Sequence, residues 1–125
     1  MKDFDKFFSA YITAALWSSN DNSDPNTGGD PLDKNYNIDD FDEQSLGILK
    51  AHAMSFYSRM WYYIENEDGE RDAMNAGHDF WLTQNGHGAG FWDGDWPKYG
   101  DMLTKLSRCY PEINIDVGDD GKLSI

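Results

Sequence analysis

The sequence predicts an α+β fold: a mainly helical single domain over residues 1–125, with about four helices and a C-terminal two-stranded β-hairpin. Three observations support this. A chain of 125 residues suits one domain with one core. Apolar side chains recur at steps of three and four residues in three segments, as helices with one buried face require, and a fourth segment supplies apolar surface before a helix stop. The last residues alternate apolar and polar positions about a glycine-aspartate turn, which is typical of a hairpin.

The first two helices are predicted over residues 2–18 and 42–65. Asp42 is a suitable N-cap for the second helix, because its carboxylate can accept a hydrogen bond from a first-turn amide. In that helix Ser55, Tyr57 and Arg59 are expected to face solvent or a partner. The apolar stripes consist of Phe4, Phe7, Phe8, Tyr11, Ile12, Ala15 and Leu16 in the first helix and of Leu46, Leu49, Ala53, Phe56, Met60 and Tyr63 in the second.

A loop over residues 20–37 joins these two helices. Aspartate, asparagine, serine, glycine and proline dominate the segment. Pro25 and Pro31 oppose a helix there, since proline lacks the amide donor that a helix interior uses. The sequence therefore predicts an acidic loop within the single domain.

The third helix is predicted over residues 70–84 and ends at Asn85-Gly86, a natural left-handed stop. Gly77 lies inside it. A glycine at this position either weakens the helix or allows it to pack closely against another one. Both interpretations stay open at this stage.

The fourth helix is predicted over residues 97–109, because Pro97 suits a first helical turn. Residues 113–125 carry the hairpin pattern, and residues 90–92 are a candidate for a short third strand. An isolated hairpin is only marginally stable, so it is expected to lie against the helices. The fourth helix should turn Tyr99, Met102, Leu103 and Leu106 inward.

Residues 77–96 form the most unusual stretch of the chain. They hold two of the three histidines, three of the five tryptophans and five of the twelve glycines. Dense aromatics beside glycines usually indicate close packing, so the segment is interpreted first as a hinge that brings Phe91, Trp92 and Trp96 into the core. A motif of unknown role within it comprises His78, Asp79, Trp81, Asn85, His87, Gly88, Gly90, Trp92 and Asp93.

Three kinds of chemistry could use residues of this motif. His78, Asp79, His87 and Asp93 have the ligand types of a zinc, manganese or iron site, but their spacing matches no strong metal motif. Either histidine could act in acid-base catalysis with a nearby carboxylate, although no nucleophile is identifiable. A phosphate-binding glycine loop lacks its lysine and its strand-to-helix setting. The sequence therefore assigns no catalytic residue, no metal and no cofactor, and it favours a function other than catalysis.

The net charge of −13, from 23 acidic and 10 basic residues, limits the classes of partner that the chain can bind. It repels nucleic acid and anionic lipid, so neither direct nucleic-acid binding nor membrane association is expected. No apolar run is long enough to span a bilayer, and the N-terminal residues lack a signal-peptide pattern. The single cysteine, Cys109, excludes an internal disulfide and suits a reducing cytoplasm.

The same charge suits a surface that meets a basic partner, or simply a solvated one. Clustered carboxylates can imitate the regular charge of duplex phosphates. The sequence does not reveal whether the clusters align, and it leaves the oligomeric state open, a homodimer included. Besides Asp116, Asp119 and Asp120 in the hairpin, the candidate partner-binding residues are Asp39, Asp40, Asp42, Glu43, Glu65, Glu67, Asp68, Glu70 and Asp72.

The segment Gly-His-Asp-Phe-Trp-Leu-Thr-Gln-Asn-Gly-His-Gly-Ala-Gly-Phe-Trp-Asp at residues 77–93 resembles a family of small acidic proteins encoded by tailed bacteriophages. The segments at residues 14–19, 31–33 and 117–123 fit the same family. The resemblance implies a phage origin and the cytoplasm of an infected bacterium, and it brings no established activity with it. Gln84 and Gly94 stand where relatives have arginine, which makes this member more acidic and weakens an anion-binding role for the loop.

Small acidic phage proteins are often accessory factors that block host defence or redirect host enzymes. By this analogy the chain is expected to bind and inhibit a host defence or nucleic-acid-handling protein with a basic surface, as anti-CRISPR and anti-restriction proteins do. Imitation of nucleic-acid charge is one means of doing so. The alternative is a small metal-binding or ligand-binding module, or an enzyme, that uses His78, Asp79, His87 and Asp93.

Overall fold

Four α-helices and a short antiparallel hairpin form the part of the chain that the computed structural model describes, residues 3–21, 23, 29–69 and 71–125. The α+β prediction is confirmed. Six residues of the predicted acidic loop, 22 and 24–28, and Glu70 of the candidate acidic surface lie outside the described residues. The elements are α1 (Phe4–Ser18), α2 (Glu43–Glu65), α3 (Ala73–Gln84), α4 (Gly100–Ser107), β1 (Asp116–Val117) and β2 (Leu123–Ser124), with 3-10 turns at Leu32–Lys34 and Ile38–Asp40.

The most extensive helix pairing joins α1 to α3, which are separated in sequence by the whole of α2. Gly77 is the contact that allows it. A Cβ atom at this position would collide with the carbonyl group of Phe7. Of the two interpretations of Gly77, close packing against another helix is therefore confirmed.

The core consists largely of aromatic rings from three helices. Phe56 of α2 stacks on Phe80 of α3 with ring centroids 4.1 Å apart, and Phe7 of α1 packs against both. Tyr57, expected on an open face, is fully buried beside Phe7, so that expectation is wrong. The helical period placed it at the edge of a stripe, and the core is wide enough to enclose that edge.

Local hydrogen bonds determine where the helices begin and end. Asp42 accepts from the amide of Ser45 at 2.7 Å, which confirms it as the N-cap of α2. Asp72 and Asn75 form a reciprocal capping box, so α3 begins at Ala73 rather than at residue 70. Gly86 adopts a φ of +71° after α3, as the stop at Asn85-Gly86 predicts.

The fourth helix is shorter than predicted, because residues 97–99 form a turn before Gly100. A Cβ atom on Gly100 would lie 2.7 Å from the carbonyl oxygen of Phe91, so the start of α4 touches the loop after α3. Leu103 is buried as expected. Met102 is 40% exposed, contrary to the prediction, because it lies on the outer side of this short helix.

The hairpin packs against the start of α2. Val117 pairs with Leu123, and Leu123 is fully buried and bridges to Phe41. The amide of Asp42 donates to the carbonyl of Leu123 at 2.9 Å. Residues 90–92 form a turn and not the third strand that the sequence suggested. None of the helices in the described residues has the length and hydropathy that crossing a bilayer requires.

Candidate functional site

Two side chains of α3 accept hydrogen bonds from the glycine-rich loop, residues 86–96. Asp79 Oδ2 accepts a hydrogen bond from the indole nitrogen of Trp96 at 2.6 Å. Thr83 Oγ1 accepts from the amide of Phe91 at 3.1 Å. Phe91 and Trp96 are buried, as predicted, but Trp92 is 48% exposed and does not enter the core.

Local geometry explains the glycine at position 90 of this loop but not the one at position 88. Gly90 has a φ of +154°, and a Cβ atom on it would collide with Thr83 Oγ1. Its amide donates to Asp93 Oδ2 at 3.3 Å, which closes a local turn. Gly88 is exposed, and a Cβ atom there would have no neighbour within 4 Å in the described part of the chain, so packing within that part does not explain it.

Trp81 and Asn85 hold other segments against α3. The indole nitrogen of buried Trp81 donates to Ser18 Oγ at 2.8 Å, at the end of α1. Asn85 Oδ1 accepts from the amide of Ile113 at 2.7 Å, and its Nδ2 donates to the carbonyl of Trp81 at 3.0 Å. These two motif residues therefore have structural roles.

The four candidate metal ligands do not form one site. His78 Nε2 accepts from the indole nitrogen of Trp17 at 3.2 Å, and burial lowers the pKa of its ring, so both features favour the neutral form. His78 and Asp79 line one cleft and His87 lines another. Within the described residues, no group of three or more histidine, cysteine, aspartate or glutamate side chains is placed to hold a metal ion.

Asp79 is the titratable group of the motif whose environment is most unusual. Burial raises the pKa of its carboxyl to about 6, against the opposing effect of the Trp96 hydrogen bond. Asp93 and Asp95 raise that pKa further, and Arg71 lowers it. Asp79 lines a cleft of about 250 Å³ with Arg71, Met74, Asn75 and His78.

Gln84 lies at the centre of a buried polar network that sequence reasoning missed. Its Oε1 accepts from the hydroxyl of Tyr11 at 2.7 Å, and its Nε2 donates to the carbonyl of Pro111 at 2.9 Å. His52 Nδ1 is 3.4 Å from the same nitrogen. Because Gln84 is 3% exposed, it belongs to the interior and not to the charged surface. Its position on the apolar face of a helix was the available signal.

Several carboxylates of the proposed acidic surface instead accept hydrogen bonds from backbone amides of the fold. Glu67 is buried and accepts hydrogen bonds from the amides of Asp68, Lys98 and Tyr99 at 2.8–2.9 Å. It therefore anchors the turn that leads into α4, and its assignment to a partner surface is wrong. Its place between charged neighbours in sequence concealed that role. Capping roles also occupy Asp40, Asp42 and Asp72.

Most of the other candidate carboxylates lie, by sequence, at the two ends of α2. The hairpin packs against the start of this helix, and we name as the hairpin end the exposed Asp39 and Glu43 together with Asp119 and Asp120 of the hairpin turn. Exposed Glu65 and Asp68 follow at the other end, the distal end. A helix of 23 residues separates them by ~34 Å.

Few cations lie beside these groups; one is Lys122 of the hairpin, whose charge, after the hydrogen bonds from Ser45, contributes to lowering the pKa of Asp42. The ion pairs within the described residues are Lys34 with Asp30 and Arg71 with Asp95. Neither involves a carboxylate of the hairpin end or of the distal end. Both ends therefore present negative charge to solvent.

Comparison with models of protein families, with curated proteins and with solved structures found no match for this chain.

Proposed function

We propose that this chain is a small acidic accessory protein of a tailed phage that acts in the cytoplasm of the infected bacterium. It binds and inhibits a host protein with a basic surface, of the defence or nucleic-acid-handling class. The observation that carries the proposal is the concentration of exposed carboxylates at both ends of α2, none of which forms an ion pair with another residue that the structure describes.

The separation of these ends supports imitation of nucleic-acid charge. About 34 Å is close to one turn of B-DNA, the spacing at which dimeric DNA-binding proteins place their two contacts. A partner with two basic patches at that spacing could engage both ends together. Such a contact gains from electrostatic attraction, which raises the association rate and is weakened by salt.

The test is a comparison of two variants with equal net charge. Glu43→Gln, Glu65→Gln and Asp68→Asn together reduce the negative charge of both ends and leave the capping carboxylates intact. Asp5→Asn, Asp33→Asn and Asp101→Asn remove the same charge from exposed positions elsewhere. Tagged proteins are used to capture partners from a bacterial lysate at low and high salt. We expect the first variant to lose the captured protein and the control to keep it.

The identity of the captured protein then separates the versions of the proposal. A protein that binds nucleic acid should be displaced from the tagged chain by duplex DNA and should lose its activity when the chain is added. If DNA and the chain bind it simultaneously, charge imitation is contradicted. If both variants capture it equally, the two acidic ends are not the contact.

The second candidate function is that of a ligand-binding module or an enzyme. For it we propose the cleft lined by His78 and Asp79 as the site. The observation that favours it is a carboxyl group of raised pKa beside Arg71 in a cleft of about 250 Å³. Its test is a screen of metals and nucleotides for a rise in melting temperature, repeated with His78→Ala. A rise that the variant loses while it stays folded would support this candidate.

A further inference from the structure

A second cleft, the polar groove, lies on the surface between the end of α1 and the segment that follows α4. Its volume of about 510 Å³ is in the range of small-molecule sites. Trp81, Asn85 and His87 line it together with Ser19 and Asn20. Three motif residues therefore contribute to one cleft, although two of them were explained above by structural hydrogen bonds alone.

One wall of the polar groove is the segment 112–116, which leads into β1 and whose burial alternates as in an extended chain. Ile115 is buried and Ile113 half-buried, whereas Glu112, Asn114 and Asp116 are exposed. Alternate residues of an extended chain point to the same side, so these three polar side chains form a row along the groove. At about 3.3 Å per residue, the carboxylates at its two ends are separated by ~13 Å.

The lining determines the charge of a suitable ligand. Glu112 and Asp116 line the polar groove, and among the residues that the structure describes no lysine or arginine does. Neither carboxylate takes part in the ion pairs found within the described residues. Phosphates and other anions are therefore disfavoured. The amide oxygens of Asn20 and Asn114, which also line the groove, add acceptors that suit a ligand rich in N–H donors.

We propose that the polar groove binds a linear aliphatic cation with ammonium groups towards its two ends, one near Glu112 and the other near Asp116. This chemistry belongs to free polyamines and also to paired lysine side chains of an extended peptide. The inference does not depend on an inhibitory role, because the site recognises the cation itself.

The test is a nuclear magnetic resonance titration of the ¹⁵N-labelled chain in salt of about 0.15 M, where long-range attraction is screened. The probes are spermidine, butylamine with its single ammonium group, and a lysine-glycine-lysine amide. We expect spermidine to shift the signals of Asn20, His87 and Asn114 and to bind more tightly than butylamine. Glu112→Gln and Asp116→Asn should each weaken spermidine binding about two- to fivefold, as exposed ion pairs allow.

Asp33→Asn and Asp101→Asn, exposed and outside the groove, are the controls for net charge and should leave binding unchanged. The amide spectrum of each variant also reports whether it is folded. Tighter binding of the lysine peptide than of spermidine would identify a peptide as the source of the cation, and the reverse a free polyamine. Any of four results would overturn the proposal. These are signal shifts spread over both acidic ends, equal weakening of spermidine binding by the control substitutions, equal affinity for butylamine and spermidine, and no binding of spermidine.

Discussion

Trp96 donates its indole N–H to the carboxylate of Asp79 at 2.6 Å, and this bond attaches the far end of the glycine-rich loop to α3. The acceptor is a carboxyl group whose pKa is raised by burial. One bond therefore links the position of the loop to the protonation of a half-buried side chain.

The first prediction concerns the pH dependence of that link. The pKa of Asp79 is about 6 in the folded protein and 3.8 as its ordinary value, so the folded state holds this proton more tightly. Its stabilising contribution is fully present below about pH 4 and is lost as the pH rises through about 6. Asp79→Asn mimics the protonated form and keeps an acceptor for Trp96. We expect it to raise the melting temperature by a few degrees near pH 7.

The same comparison near pH 4 should show almost no difference between Asp79→Asn and the wild type. Asp101→Asn, an exposed substitution of equal charge, controls for the reduced net charge. Thermal unfolding followed by circular dichroism from about pH 4 to 8 gives both quantities. A difference that stays constant across that range would contradict the assignment.

The second prediction compares two helical glycines. Gly77→Ala should destabilise the protein by about 1–3 kcal/mol, because the new methyl group collides with the Phe7 carbonyl and forces α1 away from α3. Gly47→Ala is the matched control on α2, where a Cβ atom has none of the described residues within 4 Å. It should stabilise the protein by about 0.5–1 kcal/mol through helix propensity alone. Urea unfolding measures both changes, and a stabilising Gly77→Ala would show that the helices can separate freely.

The third prediction concerns the buried carboxylate of Glu67, which accepts three amide hydrogen bonds. Glu67→Gln turns one acceptor into an N–H group that faces backbone donors. It should cost about 1.5–3 kcal/mol of unfolding free energy. Glu65→Gln, the same change at an exposed site two residues earlier, should stay within about 0.5 kcal/mol. Equal effects of the two substitutions would mean that Glu67 is a surface group after all.

The fourth prediction separates two buried tyrosines. The Tyr11 hydroxyl donates to Gln84, whereas the hydroxyl of Tyr57 has no hydrogen-bond partner among the described residues. Tyr11→Phe leaves the Gln84 oxygen unsatisfied and should cost about 1–2 kcal/mol. Tyr57→Phe removes a desolvated hydroxyl and should be neutral or stabilising. Chemical denaturation of both variants tests the contrast, and a costly Tyr57→Phe would reveal a bond to some other group.

The sequence predicted well what local physics determines. The capping carboxylate of Asp42, the left-handed Gly86 and the alternation about the hairpin turn each act within a few residues, so a pattern reveals them. Burial of Tyr57 and exposure of Trp92 depend on how distant elements meet, and no local pattern contains that information. The start of α4 was predicted three residues too early for the same reason, because Glu67 holds the preceding turn from 32 residues away. The start of α3 was also predicted three residues too early, but there the missed signal was local, the capping box of Asp72 and Asn75.

The candidate site was harder to predict than the fold. The motif was recognised as unusual, but the sequence could not show that His78 and His87 line different clefts. Nor could it separate carboxylates that cap or anchor, such as Glu67, from those that reach solvent, such as Glu65. Such a distinction requires knowing which backbone amides each carboxylate meets, and these are supplied by segments up to 32 residues away.

The pairing of α1 with α3 also has a consequence for the kinetics of folding. The hydrogen bonds that join these helices connect residues 61–73 positions apart, so their formation closes a loop containing all of α2. Loop closure costs entropy before the contacts compensate for it. Domains rich in such non-local contacts fold more slowly than bundles of sequential neighbours. We therefore expect this mostly helical chain to fold at a rate nearer to that of mixed α/β domains than to that of simple helical bundles.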